Sequence, residues 1–138
     1  MKLYYTICYL SKTSENLSDE DITNIFEYSK ERNDECDVSG ILLHSIGNFF
    51  QVLEGNEKHL KELYEKIKKD DRHGEIFEVY NKPTAHPVFL HYSSKFNIVK
   101  TTQDLESINQ YLQDNREIST SKKLERLLAP FLMMEELY

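Results

Sequence analysis

The stretch over residues 38–55, VSGILLHSIGNFFQVLEG, constrains this chain more than any other. Two apolar runs, residues 41–43 and 49–53, flank Ile46-Gly47-Asn48, and such runs around a short Gly-containing turn read as a β-hairpin buried in a sheet. Alternation sends Phe49, Gln51 and Leu53 to one face of the second strand and Phe50 and Val52 to the other, so both faces need cover. Gln51 is out of place among these neighbours. A carboxamide withdrawn from water without partners costs about 1–3 kcal/mol, so something polar must meet it in the core.

At 138 residues, 39% of them apolar, the chain fits one compact domain with a short appendage. A formal net charge of −7 and the lack of a basic run argue against nucleic acid or an anionic membrane surface as partner. Cys8 and Cys36 are too few for a disulfide framework and lack metal-type spacing, so they read as free thiols in a reducing cytoplasm. The start, MKLYYTICYL, alternates like a strand rather than forming a signal peptide, and no apolar run reaches the length of a membrane span. The expectation is a cytoplasmic protein.

In order, residues 3–10 form a strand with Leu3, Tyr5, Ile7 and Tyr9 on one face. Ser18, with Asp21 three positions on, caps a helix over residues 19–32 whose stripe is Ile22, Ile25, Phe26 and Ser29. After the hairpin, Asn56 caps a second helix carrying Leu60, Leu63, Tyr64 and Ile67, which stops at residues 70–74 with Gly74 as terminator. Residues 76–80 and 88–96 read as two more strands. The order β-α-β-β-α-β-β predicts an α+β, ferredoxin-like sandwich, an antiparallel sheet with two helices on one face. The division expected is residues 1–98 as this domain and 99–138 as a C-terminal extension of two helices.

That extension opens with a Thr101–Asp104 capping box before Leu105, Ile108, Tyr111 and Leu112. Ser121 caps its second helix, which carries Leu124, Leu127, Leu128 and Phe131 and is kinked or ended by Pro130. These stripes, or a second copy of the protein, are the candidates to cover the outer sheet face.

No helical His pair occurs among the five histidines, which argues against a metal site, and four glycines are too few for a phosphate-cradling loop. Arg72-His73 by itself reads as a helix-end or surface feature. Tyr9 and Gln51, in contrast, sit at mid-strand on faces that can coincide on the helix side, and Asn33 closes the first helix nearby. A phenol and two carboxamides between two helices make a flat, polar-edged slot suited to a planar heterocycle with carbonyls and ring nitrogens.

Five segments in order, CYLS (8–11), SKERN (29–33), VSGIL (38–42), FFQVLEG (49–55) and DDRH (70–73), resemble the BLUF family of blue-light sensors that use FAD. The resemblance covers residues 1 to about 96. It implies non-covalent FAD between the two helices, with Tyr9 as electron donor, Gln51 as the switching amide and Asn33 holding the pyrimidine end of the ring. It further implies contacts from Ile25, Phe49 and Ile67, with Arg32, Lys66, Arg72 and His73 near the polar edge and phosphates.

The family chemistry would have light drive electron and proton transfer from Tyr9, leaving Gln51 rotated or tautomeric with a changed hydrogen bond. The output is then a rearranged network that biases a two-state element, with no enzyme activity of its own. Where the family usually carries Trp and Met, the sequence has Tyr92 and Ser94, placed here on the signalling route. A homo-oligomer and a downstream protein partner are implied. The alternative is a BLUF-like protein interaction module with weak or photochemically unproductive flavin binding.

Overall fold

The computed structural model describes residues 4–93 and 95–133. Their order is β1 (Tyr4–Thr13), α1 (Asp19–Glu35), β2 (Ser39–Ser45), β3 (Asn48–Gly55), α2 (Glu57–Lys68), β4 (His73–Thr84), β5 (Asn97–Val99), α3 (Thr102–Asp114) and α4 (Ser119–Leu132). The fold is α+β and ferredoxin-like, with the sheet ordered β4-β1-β3-β2-β5. Helix starts follow from local chemistry: Ser18 and Asp21 form a reciprocal capping box at α1, Asn56 accepts from the His59 amide at α2, and Thr101 and Asp104 repeat the box at α3.

The hairpin closes through Ile46 and Gly47 at φ 46° and 72°, the two left-handed positions of a type I′ turn. Gly40 on β2 is equally constrained. Its φ is +136°, and a Cβ there would lie 1.8 Å from the Val52 carbonyl oxygen.

The sheet separates two cores. Tyr5, Ile7, Tyr9, Leu42, Phe49 and Leu53 pack under Ile22 and Phe26 of α1 and Leu60, Leu63 and Tyr64 of α2. Cys8, Ile41, Leu43, Phe50 and Val52 face the opposite way, onto Leu105, Ile108 and Leu112 of α3 and Leu124 and Leu128 of α4. The chain's own last two helices therefore cover the outer face. Each fully buried leucine there contributes about 1.5–3 kcal/mol relative to exposure.

Four local expectations are corrected. Residues 88–96 are not a strand: Val88 and Phe89 are buried, but the Glu54 carboxylate takes both of their amides and Tyr111 donates to the Val88 carbonyl at 2.6 Å, which leaves no ladder partner. The strand at that edge is the short β5, and it runs parallel to β2, so the sheet is mixed. α2 ends at Lys68 rather than at Gly74, because His73 and Gly74 already pair with Thr13 and Lys12 in β4. α4 begins at Ser119 after an Ile118 cap without a side-chain hydrogen bond, and Ser121 is buried inside it. Pro130 sits in the last turn of α4, two residues before its end.

Candidate functional site

A cavity of about 480 Å³ opens between α1, α2 and the helix-facing side of the sheet. Its floor follows from strand register. Tyr9 on β1 pairs with Gln51 on β3, which pairs with Leu42 on β2, so three strands place these side chains at one level. Phe49, two residues before Gln51, shares that face. Ile25, Ser29 and Arg32 repeat at helical spacing along α1 to make one wall, and Lys66 and Ile67 from the last turn of α2 make the other. Asp70 and Arg72, on the connection into β4, and His73, the first residue of that strand, close the end.

Gln51 is 3% exposed, and its Nε2 donates to the Tyr9 hydroxyl oxygen at 2.6 Å. Its Oε1 meets no partner in the protein. The same holds for Oδ1 and Nδ2 of Asn33, a residue at 0% exposure, and for Nε of Arg32. A buried polar atom left unmade costs about 1–3 kcal/mol, so Gln51 Oε1 and Arg32 Nε, both on residues that line the cavity, point to a ligand site there rather than to a finished core. A flat ligand with a ring N–H donor or a group that can be made to donate is what the unpartnered Gln51 carbonyl satisfies. Burial pushes the Tyr9 phenol above its ordinary range, against the pull of the Gln51 hydrogen bond, so Tyr9 holds its proton in the resting protein.

The polar end is more committed. His73 Nε2 lies 2.7 Å from the Ile67 carbonyl, which can only accept, so that nitrogen carries the proton and Nδ1 faces the Ser11 hydroxyl at 2.7 Å. Arg72 forms a bidentate pair with Asp70, at 2.6 Å for its shortest contact, and that guanidinium holds the Asp70 carboxyl below its usual range.

The cavity thus gathers Tyr9, Ile25, Arg32, Phe49, Gln51, Lys66, Ile67, Arg72 and His73. Asn33 is fully buried next to Arg32 in the chain rather than part of the lining. Asn24, Tyr28, Ser29, Leu42 and Asp70 also line it, and sequence reasoning passed over them as site residues. Tyr28 and Ser29 lie three and four residues beyond Ile25, so the helical repeat of Ile25 and Arg32 contained the signal. Tyr92 lies elsewhere: partly buried, it packs against the core on the α3 side of the sheet, 4.8 Å from the Tyr111 ring. Ser94 is outside the described residues. Cys8 and Cys36 are free thiols, and burial pushes Cys8 up to about 12, which keeps it protonated at neutral pH. No group of residues suited to a metal ion occurs among the described residues.

Comparison with known proteins gives this geometry a family. The sequence pattern of BLUF, "sensors of blue-light using FAD", matches residues 4–95. Photoactivated adenylate cyclase subunit beta of Euglena gracilis is 30% identical over 109 residues, 79% of this chain and 12% of that protein. The blue light- and temperature-regulated antirepressor BluF of Escherichia coli K12 is 36% identical over 74 residues, 54% of this chain and 18% of its own. The chain therefore spans less than a fifth of either relative's length.

Among solved structures, the BLUF domain of BlrP1, a Klebsiella pneumoniae protein, superposes with a TM-score of 0.74 at 25% identity, covering 96% of this chain and 92% of that one. The photo-activated state of BlsA gives 0.67 at 25% identity, over 96% and 97%. On the match over residues 4–95 and these likenesses in sequence and fold, the chain belongs to the BLUF family of blue-light sensors.

Proposed function

We propose that this protein is a blue-light photoreceptor that binds FAD non-covalently between α1 and α2 and signals through Tyr9 and Gln51. The observation that carries this reading is the Gln51 carboxamide: one end is bonded to a buried phenol and the other is left without a protein partner at the cavity. Bound there, a flavin supplies a blue-absorbing ring that becomes a strong oxidant when excited.

The chain's residues do the rest. Asn33 offers a donor and an acceptor to the pyrimidine edge, while Ile25, Phe49 and Ile67 enclose the ring and exclude water. Arg32, Lys66 and Arg72 supply positive charge for phosphate, and His73, locked by Ser11 and Ile67, holds the end of the cavity in place. Tyr9 is the electron donor, and its Oη is the proton source. Once that oxygen changes protonation, Gln51 has reason to turn or tautomerise, which exchanges donor for acceptor on the cavity side. The output is a rearranged hydrogen-bond network on β3.

On this reading residues 1–98 are the flavin-binding domain and 99–138 an output extension without enzyme activity. The protein is cytoplasmic, self-associates and hands its signal to a downstream protein partner. No described helix is long and apolar enough to cross a membrane. The test is the absorption spectrum of the purified protein in the dark and after blue light. A flavin spectrum that shifts slightly to the red and reverts in the dark supports the proposal. A protein that stays colourless and takes up no added FAD overturns it, and bound flavin without a reversible shift favours the interaction-module alternative.

A further inference from the structure

Tyr28 keeps 57% of its surface exposed, among the few large apolar side chains so placed in the described residues, yet it lines the cavity. The floor residues Tyr9, Phe49 and Gln51 are all nearly buried, so the Tyr28 ring stands at the mouth. Arg32, one turn on along α1, places its guanidinium 4.9 Å from the ring centroid. Arg72, on the connection after α2, lines the same cavity. Arg32, Lys66 and Arg72 bring three positive charges to the lining against the single carboxylate of Asp70, in a chain whose net charge is −7. An exposed aromatic face beside surplus positive charge is a platform for a flat ring carried on an anionic group.

We infer that Tyr28 is a specificity-determining residue that stacks the terminal base of a flavin dinucleotide, so that the cavity selects a dinucleotide over a mononucleotide. This deepens the flavin reading above and rests on it. The ring site cannot make that distinction, because the isoalloxazine is common to both ligands. The cations cannot make it well either, since each ligand carries about two negative charges near neutral pH. The dinucleotide adds a phosphate, a ribose and a second base, and of these the base is the part that an exposed aromatic ring on the cavity lining can stack. Stacking a base on an aromatic side chain is commonly worth about a five- to hundredfold change in affinity on truncation to alanine.

The experiment titrates the full chain, freed of bound ligand, with riboflavin, FMN and FAD, following flavin fluorescence at fixed ionic strength. The wild type should bind FAD about five- to tenfold more tightly than FMN, Tyr28→Ala should bring the ratio close to one, and Tyr28→Phe should restore it. Riboflavin reports the ring site alone. If none of the three flavins binds, the flavin reading fails and this inference with it. If riboflavin binds but the wild type does not prefer FAD over FMN, or Tyr28→Ala weakens both nucleotides equally, the stacking role is overturned while the ring site stands.

Discussion

Gln51 faces Tyr9 directly across the β1–β3 pair, and its Nε2 donates to the phenol oxygen over 2.6 Å. The amide orientation is therefore set by a neighbour that is itself ionisable. Replacing Tyr9 by Phe keeps the ring and removes both the acceptor and the transferable proton. Tyr9→Phe should bind flavin and lose the reversible red shift, and Gln51→Leu should do the same. Difference spectroscopy under blue light is the measurement, and a full shift in Tyr9→Phe would mean that another residue is the donor.

Glu54 lies three residues after Gln51, on the opposite face, and is 1% exposed. Its carboxylate accepts from the amides of Val88 and Phe89 and from the Ser39 hydroxyl. Glu54→Ala leaves those donors buried and unmade, and should cost about 3 kcal/mol or more. Glu54→Gln keeps an acceptor and should cost less. Urea unfolding midpoints of the two variants decide it, and equal losses would show that the hydrogen bonds contribute little beyond packing.

The Asp70–Arg72 pair predicts a pH dependence. The Asp70 carboxyl is held below its ordinary 3.8 by the guanidinium, so its contribution to stability is complete above that value and disappears as pH falls through the depressed folded value. Both side chains keep roughly a third of their surface in solvent, so the contribution is below about 1 kcal/mol. Asp70→Asn should lower Tm slightly at pH 7, and the gap to wild type should close in strong acid. A gap that is constant with pH would remove the ion pair as its cause.

Leu124 of α4 is fully buried against the outer sheet face with Leu105, Leu112 and Phe50. Leu124→Ala should cost about 2–5 kcal/mol, the usual range for a buried leucine whose site cannot collapse. Removing the chain after about residue 98 should expose Phe50 and Val52 and promote association. Thermal melts and light scattering test the two, and a truncated chain as soluble as the full one would show that the face tolerates water.

Elements written in short-range chemistry are legible in the order of the residues alone. Capping boxes at Ser18 and Thr101 act over three residues, the Ile46-Gly47 turn over two, and alternation along β1 and β3 assigns Tyr9 and Gln51 to one face. A local hydrogen bond or a strand period is readable from neighbours because the atoms involved are neighbours.

Long-range competition decided the rest. The 88–96 segment has the composition of a strand, but a carboxylate 34 residues earlier in the chain captures the Val88 amide and diverts it into a turn. The parallel course of β5 follows from the chain crossing from the β4 edge to the β2 edge, which no local pattern encodes. The cavity is also a tertiary result. Asn24 and Tyr28 became lining residues only when the last turn of α2 and the Asp70–His73 connection came to face α1. Packing between distant segments sets which side of a helix meets a ligand, and the sequence of that helix fixes only which residues share the side.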